Sequence, residues 1–166
     1  LKLSRGLGDV YKRQPQFSPD GKHIAYVSDA SGSEQVWIMT ADGENPEPLT
    51  DDADARITSP IWDPDGPYII ARRRTVDTSS IGSTALWQYH LDGGSGFALT
   101  DTDAHPVAGE PHSDGEHVYF SSRQGRFAYD SNPVAGLWQV WRLERETSAL
   151  HPVVVGAGSA ARPTLS

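Results

Sequence analysis

One motif returns along the chain at nearly even intervals, and it limits the fold more than any other feature. Its clearest copy is Pro15-Gln16-Phe17-Ser18-Pro19-Asp20-Gly21-Lys22, followed by the apolar run Ile24-Ala25-Tyr26-Val27. Pro19 sets φ for the first turn position, Asp20 can bond its own backbone, and Gly21 accepts the positive φ that closes the turn. A second copy runs Pro60-Ile61-Trp62-Asp63-Pro64-Asp65-Gly66 into Tyr68-Ile69-Ile70-Ala71. A worn third, Pro111-His112-Ser113-Asp114-Gly115 into Val118-Tyr119-Phe120, lacks the turn proline and is two residues shorter. A fourth opens at Pro163-Thr164-Leu165-Ser166. The leading prolines stand 45, 51 and 52 residues apart.

Each repeat has a second half. Val36-Trp37-Ile38-Met39 leads through Asp42-Gly43 to Leu49-Thr50-Asp51, and Leu86-Trp87-Gln88-Tyr89 leads through Asp92-Gly93 to Leu99-Thr100-Asp101. In the third copy Trp138-Gln139-Val140-Trp141 is followed by Arg145-Glu146-Thr147-Ser148 in place of Asp-Gly, and ends in Val153-Val154-Val155. Four strands in a repeat of roughly 40–50 residues mark a propeller blade. The expected fold is therefore all-β, a partial β-propeller of about three four-stranded antiparallel blades, residues 15–51, 59–101 and 109–155. The start of a fourth, residues 161–166, follows. Strands are predicted at 15–18, 23–28, 35–40 and 46–50; at 59–63, 68–72, 85–91 and 96–100; and at 109–113, 117–122, 137–143 and 150–155. Propellers close with roughly four to eight blades, so three make part of a ring and leave two blade faces uncovered.

Residues 1–14 do not fit the repeat. They are basic where the rest is acidic, they lack the apolar core of a signal peptide, and from Leu3 to Gln14 they resemble translated adapter sequence. They are expected to be non-native or disordered and are set aside from the propeller, residues 15–166. That remainder carries 10 basic and 21 acidic residues, a balance that argues against a nucleic-acid partner. No apolar run approaches the ~20 residues of a membrane-spanning helix. With no cysteine, disulfides and Cys-based metal sites are excluded.

The short Pro-Asp-Gly and Asp-Gly turns are expected at one end of the blades, because antiparallel strands alternate their connections between ends. The other end then carries Arg72–Thr84, Ser122–Gly136 and the Asp-rich links Asp51–Thr58 and Asp101–Ala108. Long loops on a rigid scaffold are the functional face. The basic run Arg72-Arg73-Arg74 opens one of those loops, and Arg72, His105, Arg126 and Asp130 are the candidate contacts there. Glu110, His112, Asp114 and His117 invite a metal reading, but Asp114 belongs to a turn and no His-x-His or His-x-x-x-His pair occurs, so a structural role is preferred. The acidic links lack the glycine and distal glutamate of a calcium loop and read as solvated linkers. No Gly-x-Ser-x-Gly elbow is present, and the tryptophans, which recur at strand positions, read as blade core. No catalytic, cofactor-binding or metal-ligating residue is therefore assigned in this chain.

From Pro15 to Ser166 the repeat resembles the TolB-type, or WD-like, β-propeller repeat, through Ser18-Pro19-Asp20-Gly21-Lys22, Ile24-Ala25-Tyr26 and Leu49-Thr50. A narrower resemblance is to the propeller that precedes the catalytic barrel in a group of bacterial amidohydrolase-family proteins. Tyr68-Ile69-Ile70-Ala71-Arg72, Trp87-Gln88-Tyr89-His90, Gly93-Gly94-Ser95-Gly96, Leu99-Thr100, Gly109-Glu110-Pro111 and Arg162-Pro163-Thr164 carry it. The match departs at Arg73–Thr78 and around His112. This resemblance implies a fragment of a periplasmic or secreted, metal-dependent hydrolase of amide-type bonds. Its divalent, zinc-type metals would be held by His, Asp and modified Lys residues beyond residue 166. The propeller would serve as scaffold, substrate-access or interaction module, with its own downstream catalytic domain or another protein as partner. Two alternatives stay open, a TolB-like periplasmic protein-interaction propeller and the propeller of a prolyl-oligopeptidase-type serine hydrolase.

Overall fold

The computed structural model describes residues 12–76, 84–101, 107–123 and 138–153. They form twelve strands in three four-stranded antiparallel sheets, with no helix among the described residues. Blade 1 is β1 (Lys12–Phe17), β2 (His23–Ser28), β3 (Gln35–Thr40) and β4 (Glu47–Pro48). Blade 2 is β5 (Ala55–Trp62), β6 (Tyr68–Thr75), β7 (Thr84–His90) and β8 (Phe97–Ala98). Blade 3 is β9 (Val107–Ser113), β10 (His117–Arg123), β11 (Trp138–Glu144) and β12 (Leu150–Pro152). In every blade, spatial order follows chain order. The first strands of neighbouring blades touch, β1 on β5 and β5 on β9, so they lie toward the ring axis.

The recurring proline has a structural reason. In all three blades the pairing of the first two strands slips at the bulge where it sits, between Arg13 and Gln16, between Thr58 and Ile61, and opposite Tyr119 to Ser121. Proline has no N–H to give to a ladder, so a strand tolerates it where pairing is already broken. Each hairpin then closes in a similar way. Ser18 N donates to His23 O at 2.9 Å, Asp63 N to Tyr68 O at 2.9 Å and Asp114 N to His117 O at 3.2 Å. The third turn is the short one, as its sequence predicts. There Ser113, opposite Val118, takes the place of Phe17 and Trp62, and His112 stands one position further back, opposite Tyr119. Gly115 adopts φ 97°, and a Cβ on it would run into the Asp65 carboxylate of blade 2.

The Leu-Thr motif closes the outer edge. Leu49 N donates to Val36 O at 2.9 Å while Thr50 Oγ1 accepts from Val36 N at 3.0 Å. Leu99 and Thr100 repeat this on Leu86, at 2.7 and 2.9 Å. Val153 N to Val140 O at 2.8 Å is the same bond in blade 3. In blades 1 and 2 the Leu-Thr pair therefore holds both the N–H and the C=O of one third-strand residue, and regular pairing ends before it. This shortens β4, β8 and β12 from the predicted 46–50, 96–100 and 150–155 to two or three residues, with Val154 and Val155 outside the described residues. Pro48 and Pro152 further limit the open edge as a template for other strands.

The short turns share one end, as expected: Ala41 N bonds Lys22 O, Leu91 N bonds Pro67 O and Arg145 N bonds Glu116 O, one such tie per blade. Several strand boundaries differ from expectation. β5 begins at Ala55 and β9 at Val107, before the predicted 59 and 109, and β6 runs on to Thr75. Arg72-Arg73-Arg74 thus lies within a strand, paired on both sides, and does not open a loop. Pairing with a neighbour extends a strand past the apolar run that reveals it in sequence. β1 likewise reaches back to Lys12, opposite Ser28.

Blades pack face to face. Ala25, Val36, Ile38 and Leu49 of blade 1 meet Ala55, Ile57, Ile69, Ala71 and Tyr89 of blade 2. Ile61, Ile70 and Leu86 of blade 2 meet Val118, Phe120, Trp141 and Leu143 of blade 3. The other face of blade 1 presents Ile24, Tyr26 and Met39, which are also buried rather than uncovered, whereas Phe17 beside them is 60% exposed. Polar ties cross both junctions. Trp62 Nε1 donates to Gln16 O at 2.9 Å, and Ile57 N to Glu34 O at 2.7 Å. Arg145, in the turn after β11, donates to Gly115 O and to Gln88 Oε1 and pairs with the Asp63 carboxylate at 2.6 Å. The Asp63 side chain is 1% exposed.

Three measurements check this packing. Arg145→Met leaves Asp63 buried without its cation and is expected to cost about 3–5 kcal/mol in denaturant unfolding. Combining it with Asp63→Leu should recover most of that loss. Thr50→Val and Thr100→Val each orphan a buried strand N–H and should cost about 1–3 kcal/mol, Thr50 the more, because it also donates to Gln35 Oε1. The Asp20 carboxyl, which accepts from Ser18 Oγ and Lys22 N, sits at about 2 against an ordinary 3.8. A depressed carboxylate favours the fold above the ordinary carboxylate range and loses that contribution as pH falls through about 2. By NMR, Ser18→Ala should raise the Asp20 midpoint toward 3.8.

Candidate functional site at the long-loop end

The basic run stands on the two inner strands of blade 2. Arg56 pairs directly with Arg74, Ile57 with Arg73 and Thr58 with Arg72. Side chains alternate along a strand and directly opposed residues share a face, so Arg56, Arg72 and Arg74 project from one face and Arg73 from the other. Arg73 continues the row of Ile69 and Ala71, which faces blade 1. There its Nε donates to Asp52 Oδ2 at 2.8 Å, and its guanidinium carbon lies 4.7 Å over the Trp87 ring. Trp87 in turn stacks on Tyr89, with centroids 6.4 Å apart and planes 24° from parallel.

Asp52 is held by a side chain that sequence reasoning passed over. Gln35, 1% exposed, donates from Nε2 to Asp52 O and Ala55 O, both at 2.9 Å. Its Oε1 accepts from Asp52 N at 3.3 Å and from Thr50 Oγ1 at 2.8 Å. The link between blades is thereby clamped at both backbone atoms of Asp52, and its carboxylate is aimed at Arg73. The solvated-linker expectation for Asp51–Asp54 is corrected at this residue, whose side chain is half-buried in an ion pair. Trp87 is likewise more than core, since the face of its ring supports a cation. A glutamine beginning a strand and an aspartate ending its blade carry no recognisable spacing; only the fold brings them together.

Charge is unevenly matched here. Arg56 Nη1 lies 3.9 Å from Glu34 Oε2, and Arg74 forms no ion pair among the described residues. Burial, and then the neighbouring charge of Arg74, lower the Arg72 guanidinium pKa. Burial also pushes the Tyr89 hydroxyl up, helped by Asp52 and opposed by Arg73. Of the predicted contacts, Arg72 is thus in place beside Arg56 and Arg74, whereas His105, Arg126 and Asp130 lie outside the described residues.

The opposite end holds a cleft of about 390 Å³ lined by Gly115, Glu116, His117, Glu144, Arg145, Glu146 and Thr147. Its cation is committed to Asp63. Asp114 serves the nearby turn, accepting from His117 N at 2.7 Å and Glu116 N at 3.1 Å. Among the described residues no group of three His, Cys, Asp or Glu side chains is placed to hold a metal ion.

The sequence matches no protein-family model. Over 64 residues, 38% of this chain, it is 36% identical to the uncharacterized peptidase YuxL of Bacillus subtilis (strain 168), spanning 10% of that protein. The fold is similar to TolB from Acinetobacter baumannii, with a TM-score of 0.72 and 22% identity over 95% of this chain and 35% of that one. It is also similar to a putative TolB from Agrobacterium tumefaciens, at 0.67 and 22% over 92% of this chain and 51% of that one. A puromycin hydrolase follows at 0.66 and 12%, over 95% and 22%. The chain therefore spans about half or less of each of these proteins, and the structural likeness is one of propeller fold.

Asp52→Ala should free Arg73 from its place over Trp87. The expected result is a change in Trp87 fluorescence and near-UV dichroism with less than about 1 kcal/mol of lost stability, because the pair is half-exposed.

Proposed function

We propose that this chain is the propeller part of a longer, exported hydrolase of amide-type bonds, with catalysis carried by residues beyond 166. The arginine-bearing face at the long-loop end, in an otherwise acidic chain, is the observation that carries this reading. A blade scaffold presents that face rigidly, so it suits selection and admission of substrate. The propeller supplies no activated water, nucleophile or oxyanion partner among the residues assigned, which leaves the chemistry to a neighbouring domain.

Two catalytic partners have support of different kinds. The resemblance carried by Gly93-Gly94-Ser95-Gly96, before β8, and Gly109-Glu110-Pro111, in β9, favours a metal-dependent amidohydrolase barrel. The described residues offer no metal site, so no step is assigned to a metal here. The 36% match to a peptidase, with the puromycin hydrolase likeness, favours a serine peptidase domain of the prolyl-oligopeptidase type. A free-standing periplasmic interaction propeller, as in the TolB likeness, is the reading without chemistry.

Turnover of amide and dipeptide substrates by the uninterrupted gene product and by residues 15–166 separates these. Activity confined to the longer protein and abolished by a chelator is the expected result. Chelator-resistant activity of the longer protein would shift the assignment to a serine peptidase, and turnover by residues 15–166 would overturn the division of labour. Absence of turnover by either would favour the interaction propeller.

A further inference from the structure

We infer that the face of blade 3 turned away from blade 2 receives a further blade of the same protein, which sets a carboxylate on Arg142. The inference rests on the reading of this chain as part of a longer propeller protein. Cross-strand pairing aligns His112, Tyr119, Arg142 and His151 in one row across blade 3. Directly opposed residues share a face, and Val118, Phe120, Trp141 and Leu143 take the face toward blade 2, so this row lies on the other. The rows in the same place on the earlier blades are Gln16, Ala25, Ile38 and Glu47, and Ile61, Ile70, Gln88 and Phe97. There Ala25, Ile38, Ile61 and Ile70 are covered by apolar side chains of the following blade. Blade 3 replaces them with two histidines, a tyrosine and an arginine.

Arg142 is short of acceptors. Its Nη2 donates to Glu144 Oε1 at 3.3 Å, but the same oxygen lies 3.3 Å from His151 Nε2, and Thr147 Oγ1 donates to Glu144 Oε2 at 3.1 Å. The Arg142 Nε is buried without a hydrogen-bond partner among the described residues. A guanidinium has five N–H donors, so a wholly apolar blade laid over it would strand a buried cation. The junction between blades 2 and 3 shows where an acceptor can come from. Gln88 follows Trp87 as Arg142 follows Trp141, and Gln88 is met by Arg145, four residues after Trp141. Ala41 and Leu91 stand at that same step after Trp37 and Trp87, with the same backbone tie. The carboxylate is therefore assigned to the fourth residue after the third-strand tryptophan of the next blade. Spacing agrees with a blade there: Pro60, Pro111 and Pro163 follow the edge residues Leu49, Leu99 and Val153 by 11, 12 and 10 residues.

The test compares denaturant unfolding of the uninterrupted gene product with that of the 166-residue chain. In the longer protein Arg142→Met should lower the folding constant by roughly a hundredfold or more, because it leaves the partner carboxylate buried alone. In the 166-residue chain, where the Arg142 side chain is 37% exposed beside Glu144, the loss should stay below about fivefold. Arg142→Lys should keep part of the tie and Arg142→Gln little of it. Replacing the assigned carboxylate by leucine together with Arg142→Met should recover most of the loss, a coupling that a role internal to blade 3 would not produce. An uncharged residue at the assigned step, an equal loss in both proteins, or no loss in the longer one would overturn the docking. So would dimerisation of the 166-residue chain that Arg142→Met abolishes, which gives the face to a second copy. Turnover of amide substrates is a separate readout: its absence sinks the hydrolase reading, and unchanged unfolding sinks the docking.

Discussion

Face-to-face packing between blades is the constraint on which the rest of this structure depends. A four-stranded sheet has two faces, and in blade 2 both are covered, Ile69 and Ala71 toward blade 1 and Ile70 toward blade 3. That is why Tyr68-Ile69-Ile70-Ala71 is a continuous apolar run and not an alternating one. Fully burying each Ile, Leu or Phe contributes about 1.5–3 kcal/mol, against about 0.5–1.5 kcal/mol net for a typical neutral hydrogen bond. Turn chemistry and edge closure shape the blades, but stacking is what makes them stable, as in other repeat architectures.

Apolar packing is non-directional, so it does not by itself set how one blade sits on the next. Directional ties do. Trp62 reaches back to the first strand of blade 1, and Arg145 reaches back to Asp63, Gly115 and Gln88. The Arg145 tie is the strictest, because a carboxylate 1% exposed needs its cation wherever the blade is placed. The two ends of the blade stack consequently differ in electrostatic character. At the short-turn end a charge is buried and matched. At the long-loop end three arginines share one face, and Glu34 lies 3.9 Å from one of them, Arg56. The first arrangement fixes how blade 3 sits on blade 2.

The structural departures from expectation have a common origin. Arg72-Arg73-Arg74 reads as the start of a loop because three cations follow an apolar run, yet backbone pairing with Ala85, Leu86 and Thr84 on one side and Arg56 to Thr58 on the other carries the strand through them. Asp52 reads as a solvated linker residue, yet Gln35, seventeen positions earlier, fixes it in place. The tryptophan at position 87 reads as core, and it is also the surface on which Arg73 rests.

The three-blade, all-β architecture was legible in the sequence, because its determinants are local and repeated. A proline at a bulge, a turn that needs Gly21 or Gly115, and, in the first two blades, a Leu-Thr pair that closes the outer edge recur at similar offsets, and each acts within its own blade. Arg72 was legible as a candidate for the same reason, as the start of the one basic run in an acidic chain. Its partners were not. Strand register decides that Arg56 opposes Arg74, that Arg73 turns away to Asp52 and Trp87, and that Arg145 meets Asp63 across a blade junction. A shift of one residue in that register would exchange every one of these faces, and register is set by packing and pairing at a distance, which only the tertiary structure supplies.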